Sequence, residues 1–326
     1  MIRSMNEYTQ NTRKGVQVIE IEEDQDNQRI DNFLVRVLAD IPKTRIYRLI
    51  RKGEIRVNKG RIKANHRLKV GDIVRIPPVW VGDESAEVRV PPGLMKEIEQ
   101  CILFENDQCI VINKPSGLAV HAGSGLRFGL VDVVKAMRPD QDYVELAHRL
   151  DRETSGCIIV AKNRKTLIFL HEQFKSGGVI KKYLTGVVGH WDEGNKTIAA
   201  PLKKNVVQGG ERMVEVAADG KSAVSHFTLL QHYPGLSLLE VILETGRTHQ
   251  IRVHAAYAGH PVAGDKKYGD KRSNQILKEK GLGHLFLHAH WLELFLPGRV
   301  EKLLVTTPLP PDLQQVLTKL ESAGSK

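Results

Sequence analysis

The sequence predicts an α+β protein in two parts: a large domain around a mixed or mostly antiparallel sheet with flanking helices, preceded by a small basic unit of two helices and a hairpin. Three observations lead there. The chain of 326 residues, 41% of them hydrophobic, is long enough for two domains and a substantial core. Along most of its length short apolar runs follow one another, with helical patterns interspersed rather than strictly alternating. The charge is also unevenly placed. Of 48 Lys and Arg and 38 Asp and Glu, 14 and 4 lie between Arg29 and Arg75, so the whole excess of +10 belongs to one short segment.

Residues 1–20 open on the polar stretch MIRSMNEYTQNTRKG, which lacks the apolar core of a secretory signal and reads as a disordered start. The basic unit spans 21–78. Ile30, Phe33, Leu34, Val37 and Leu38 recur at helical spacing and mark one face of a first helix. After Asp40-Ile41-Pro42 comes KTRIYRLIRK, in which Ile46, Leu49 and Ile50 face inward, Arg45, Arg48 and Lys52 face outward, and Gly53 stops the helix. Ile55-Arg56-Val57, a turn at Asn58-Lys59-Gly60, and Ile73-Val74-Arg75-Ile76 then read as short strands. So small a core carrying 14 cations costs self-repulsion that a polyanion would offset, which points to nucleic acid.

Residues 79–95, with VWVGDESAEVRVPP, read as a linker, and 96–326 as the large domain. Strands are expected at Cys109–Asn113, Gly156–Ala161, Tyr183–Val188, Ala223–Leu230 and Ser237–Leu243. Helices are expected at Leu130–Met137, after Asn163, at Thr248–Ala258 and at Pro311–Leu320. No run approaches the roughly 18 apolar residues of a membrane helix. Cys101, Cys109 and Cys157 form no C-x-x-C pair and read as free thiols of a cytoplasmic protein.

Five stretches could carry chemistry. HRLDRETSG places Asp151 on a turn that feeds the apolar run CIIVAK. An aspartate among arginines is stabilised as an anion, fit to be a nucleophile, a base or a loop salt bridge. TGRTHQIRVH is a turn opening a helix, with two arginines suited to an anion. Its His249 and His254 are five apart, which does not stack them as a metal pair, so no metal is expected. Tyr183, between basic and apolar residues, is either core or a ring to lie against a flat base. The glycines of AVHAGSG and GHPVAGD lack the spacing of a nucleotide-binding loop, and no nucleotide cofactor is implied.

The segment RIDNFLVRVLADIPKTRIYRLIRKGEIRVNKGRIK resembles the S4-type RNA-binding module. Behind it, NKPSGLAVHAGSG, HRLDRETSGCIIVAKN, KKYL, TGRTHQIRVH, GHPVAGDKKYGD and LFLHA, in this order, are similar to the RluA family of pseudouridine synthases. The resemblance runs from about residue 20 to the C-terminus. It implies the pseudouridine synthase fold with a bent mixed sheet, and isomerisation of uridine to pseudouridine in 23S ribosomal RNA or its precursor. It implies no cofactor, no membrane partner, and a monomer.

The family's catalytic aspartate falls on Asp151, its motif tyrosine on Tyr183, and its motif arginine, expected to pair with the aspartate, on Arg252. Arg149 matches the arginine that enters the RNA helix where the uridine has flipped out. Arg45, Arg48, Lys52, Arg56, Lys59, Arg61 and Lys63 are the expected RNA-binding cations of the S4 module. Thr185 departs from the usual Ala after Tyr-Leu. The rival readings are a non-enzymatic S4-domain RNA chaperone or assembly factor, and the same chemistry on tRNA.

Overall fold

The computed structural model describes residues 13–38, 41, 43–80, 90–122, 128–192, 194–206 and 212–324. Gly123-Ser124-Gly125, most of QGGER and most of the expected linker lie outside the described residues. The chain divides into two compact units, Met1–Arg89 and Val90–Lys326.

The first unit contains β1 (Arg13–Lys14), β2 (Gln17–Glu20), α1 (Ile30–Val37), α2 (Lys43–Lys52), β3 (Arg56–Val57), β4 (Gly60–Arg61), β5 (Ile73–Ile76) and β6 (Val79–Trp80). Ile30, Phe33 and Leu34 of α1 and Ile46, Leu49 and Ile50 of α2 bury the predicted stripes against Val57, Val74 and Ile76 of the sheet β2-β5-β3-β4. Each side chain so buried contributes about 1.5–3 kcal/mol. Asn58 and Lys59 both adopt positive φ, 49° and 66°, as a two-residue hairpin turn requires.

Order begins earlier than the polar N-terminus suggested. Gln17–Glu20 pairs antiparallel with β5, and Arg13–Lys14 with β6. The alternation Gln-Val-Ile-Glu carried the strand signal, and its ladder satisfies backbone groups of a sheet edge.

The second unit continues with α3 (Pro92–Gln100), β7 (Ile102–Glu105), β8 (Cys109–Lys114), α4 (Leu130–Met137), β9 (Glu145–Leu146), β10 (Ser155–Ala161), α5 (Arg164–Ser176) and β11 (Ile180–Val188). Then follow β12 (Asn195–Ala199), β13 (Leu202–Val206), β14 (Arg212–Val216), β15 (Val224–Tyr233), β16 (Leu236–Leu243), α6 (Gln250–Tyr257), α7 (Lys271–Glu279), β17 (Leu287–Phe295), β18 (Lys302–Thr306) and α8 (Pro311–Gly324). The linker reading fails at both ends. Val79–Trp80 is a strand, and α3 starts at Pro92, where a missing N–H costs nothing, and buries Ile98 with Val90 in the main core.

Ten strands form one sheet in the order β12-β15-β16-β11-β17-β10-β8-β7, with β18 beside β17 and β9 beside β10. Among the described residues only the β10–β17 pairing is parallel, so the sheet is mixed. One register row crosses its middle: Lys114, Gly156, Ala289, Tyr183, Val241 and Phe227. At Gly156 (φ 108°) a Cβ would sit 2.2 Å from the Ala289 carbonyl oxygen, so only glycine lets β10 come this close to β17. The register also slips between Lys182 and Tyr183. Such a bulge re-aims the side chain beside it.

Candidate active site

The loop ahead of β10 and the turn ahead of α6 meet over the centre of the sheet. They enclose a cleft of about 80 Å³ lined by Arg149, Asp151, Tyr183, His249 and Arg252 among others. The four residues singled out at the centre of the sequence reading, Asp151, Tyr183, Arg252 and Arg149, therefore share one cavity.

Asp151 stands on a tightly held loop. Lys114, fully buried at the end of β8, donates its three ammonium hydrogens to the carbonyl oxygens of Pro115 (2.8 Å), Leu118 (2.9 Å) and Arg152 (3.1 Å). Burial pushes this lysine down to about 7, with Glu153 and Asp151 pulling it back up. The Gly117 amide donates to the Arg152 carbonyl, Ser116 Oγ to the Glu153 carbonyl, and Arg152 Nε to the Gly117 carbonyl. KPSG and DRE are thus laced together by main-chain acceptors, and Arg152, which had no expected role, is part of the lacing.

The Asp151 side chain is 18% exposed, and its Oδ2 faces Arg252 Nη1 at 3.6 Å and His249 Nε2 at 3.7 Å. Arg252 is 8% exposed and is held from behind. Its Nε donates to Asp265 Oδ2 (2.7 Å) and its Nη2 to Asp265 Oδ1 (2.8 Å), a bidentate pair on a fully buried carboxylate. Asp265 Oδ1 also accepts the amides of Lys267 and Tyr268. These donors hold the Asp265 pKa below its ordinary value against its burial.

The turn that leads into α6, the helix of Arg252, is fixed by Gln250. Its Oε1 accepts from Thr245 Oγ1 and the Arg247 amide, while its Nε2 donates to the Val224 carbonyl and Ser225 Oγ. Tyr183 is buried with its ring in the main core, and among the described residues no group bonds its hydroxyl. Burial first, then Asp151, raises its pKa, so the phenol keeps its proton in the resting site. Arg149 is exposed at the rim of the cleft.

A family model described as RNA pseudouridylate synthase matches residues 108–257, and one described as S4 domain matches 28–74. The chain is 48% identical over 307 residues to the ribosomal large subunit pseudouridine synthase C of Yersinia pestis, covering 94% of this chain and 96% of that one. It is 46% identical over 309 residues to the protein of that name from Haemophilus ducreyi, covering 94% and 97%. The chain belongs to the RNA pseudouridylate synthase family. Among solved structures it is similar to human RNA pseudouridylate synthase domain containing 4, with a TM-score of 0.58 and 27% identity over 70% of this chain and 95% of that one.

In this pseudouridine synthase the sequence reading passed over a second layer of the site. The Val214 amide donates to the Tyr268 hydroxyl (2.9 Å), and that hydroxyl lies 2.8 Å from His249 Nδ1. With the phenol oxygen accepting the Val214 amide, the arrangement in which its own proton goes to Nδ1 leaves the Nε2–H of His249 turned toward Asp151. Burial lowers the His249 pKa, partly opposed by Asp151. His249 holds this place in the left-handed conformation, φ 55°, ψ 20°, and that is why α6 starts at Gln250 and not at Thr248. Asp265, Tyr268 and His249 all lay within quoted motifs, but nothing in their spacing tells which atoms meet.

His254, by contrast, is structural. Its Nδ1 meets Ser225 Oγ and its Nε2 the Ala200 carbonyl. Among the described residues no group of three His, Cys, Asp or Glu side chains is disposed to hold a metal ion. Thr185, the departure from the usual Ala, is buried and donates its hydroxyl to the Phe286 carbonyl at 2.9 Å.

In the S4 unit, Arg48, Lys52, Arg56, Lys59, Arg61 and Lys63 are exposed, while Arg45 is half-buried rather than fully outward. Arg61, Arg56 and Arg75 stand opposite one another across β4, β3 and β5. Like charges in such a row repel.

Proposed function

We propose that this enzyme isomerises uridines of 23S ribosomal RNA or its precursor, in the cytoplasm and as a monomer, with Asp151 as the catalytic carboxylate. One observation carries the reading: Asp151, the clamped Arg252 and the Tyr183 ring line one narrow cleft that a flat base can enter. All the side chains required come from one chain. The relatives' name supports the substrate class, and the row of S4 arginines suits a polyanion.

The reaction breaks the N1–C1′ bond and forms C5–C1′; C5 gives up its hydrogen and N1 gains one, so composition is unchanged. A base inside a helix must first be extruded, at a cost of a few kcal/mol. Exposed Arg149 at the rim fills the vacated stack, and the Tyr183 ring supports the uracil face. Arg252, held by Asp265, sets the direction of the Asp151 carboxylate, which attacks the nucleotide or takes its first proton. With its phenol protonated, Tyr183 takes up the C5 proton only in exchange for its own.

The test is the release of tritium from ribosomal RNA transcripts labelled at uridine C5. Asp151→Asn abolishes release while RNA binding stays within about twofold, and release at the wild-type rate refutes the assignment. Chemical mapping of pseudouridine in ribosomal RNA from a strain lacking the protein identifies the target sites.

A further inference from the structure

A second cleft, of about 350 Å³, adjoins the Asp151 cleft and shares Gly246, Arg247 and Thr248 with it. Its walls are the β13–β14 hairpin, the turn at Gly220-Lys221, and the 245–248 turn. Four cations line it, Lys203, Lys204, Lys221 and Arg247, against the single acid Asp219. That acid is taken up by Lys203. Among the described residues no carboxylate pairs with Lys204, Lys221 or Arg247, and all three are exposed. Arg138, half-buried elsewhere in this unit, is by contrast matched by Glu99 and Glu105. Unmatched cations converging on a concave surface repel one another unless an anion sits between them.

The cleft is built rather than accidental. Leu202 and Lys221 exchange two backbone hydrogen bonds of 2.9 Å, and a Cβ at Gly220 would meet the Leu202 backbone at 2.7 Å, so only glycine brings Lys221 this close to β13. Leu202 and Val214 form an apolar floor that packs on Val253 of α6, the helix that carries Arg252. Arg247 is steadied by its Nε bond to the Ser222 carbonyl at 3.0 Å, which leaves its two terminal nitrogens directed elsewhere. The anion site therefore stands at a fixed distance from Asp151.

We propose that this cleft grips the phosphodiesters next to the target uridine, with Lys204, Lys221 and Arg247 on the phosphates and the floor of Leu202 and Val214 under a ribose. This rests on the reading that the uridine enters the Asp151 cleft. The strand then runs from one cleft into the other over Gly246, and the grip supplies the leverage that keeps the flanking backbone in place while the base is out.

The experiment uses the full chain and a synthetic RNA stem-loop containing the mapped target uridine, with neutral methylphosphonates placed one at a time at the phosphates within three nucleotides of it. Lys204→Met and Lys221→Met keep side-chain length and remove charge. Each raises KM about tenfold with kcat at saturating RNA retained, and each lowers the slope of log affinity against log salt by about 0.7. Methylphosphonate at one or two positions weakens wild-type binding and adds nothing to the loss in the double variant. Equal methylphosphonate losses in both proteins, or unchanged KM and slope in the double variant, overturn the proposal. Binding by Asp151→Asn enzyme reads the same cleft without turnover, so a failure of the Asp151 assignment is seen separately.

Discussion

Replacing Asp265 by asparagine tests how Arg252 is held. The carboxylate is fully buried; its Oδ1 takes Arg252 Nη2 and the amides of Lys267 and Tyr268, and its Oδ2 takes Arg252 Nε at 2.7 Å. In the variant the amide oxygen can keep the three donors on one side, but its NH2 then confronts the Arg252 Nε–H, donor against donor. One charge-assisted bond is lost, and a buried guanidinium is left with only the more distant Asp151, 3.6 Å from Nη1, as counter-charge. Breaking a buried pair in this way costs about 3–5 kcal/mol. For a unit of this size each kcal/mol moves the melting point by about 2–4 °C, so Tm falls by roughly 6–20 °C. Released from its clamp, Arg252 no longer directs Asp151, and kcat for tritium release falls at least about tenfold at 25 °C, equivalent to about 1.4 kcal/mol of barrier. Calorimetry and single-turnover release measure the two effects. A Tm within about 2 °C of wild type, or an unchanged kcat, refutes the argument that Asp265 is the anchor.

Tyr268→Phe leaves the buried Val214 amide without its acceptor, which costs about 1–3 kcal/mol. It also removes the donor that favours neutral His249, so the His249 pKa rises and the acidic limb of the kcat profile moves to higher pH; a wild-type profile refutes the hydrogen-bond order given above. Acid lability follows from His288, which is buried, and His148, which is half-buried. Burial pushes His148 down to about 3 and His288 down to about 4, and His148 Nε2 accepts the Ile159 amide, a bond that requires the neutral ring. Below the ordinary histidine value of about 6.5 the unfolded chain binds protons that the folded one does not. Stability therefore falls as pH drops, by about 2.7 kcal/mol per pH unit for the two together between about pH 6 and about pH 4. A melting point that stays flat from pH 6.5 to 5 contradicts this. Deleting residues 1–80 weakens ribosomal RNA binding and flattens its salt dependence, because the excess cations lie there. An unchanged slope in a salt titration argues otherwise.

What could be read from the sequence was whatever depends on residues close together in the chain. The helical stripes of α1 and α2 were legible because an amphipathic face repeats every few residues, and the charge excess of the N-terminal unit because it is contiguous. α3 hid behind Pro91-Pro92, whose composition reads as linker although proline suits a first helical turn. The central strand β17 was missed because its partners, β10, β11 and β18, come from distant stretches.

The order of motifs established the family, and with it which aspartate to ask about. The sequence alone also placed Asp151, Tyr183 and Arg252 in motifs near turns and strand starts. Only the tertiary structure decided that Arg252 is clamped by Asp265, that His249 and Tyr268 stand behind Asp151, and that Lys114 laces the loop beneath it. Those contacts join residues up to about 100 positions apart through hydrogen bonds and ion pairs whose direction depends on backbone geometry, φ of His249 included, and on the bulge beside Tyr183. Spacing in a chain carries no record of which atom of a side chain meets which; packing the sheet and α6 around one cleft creates it.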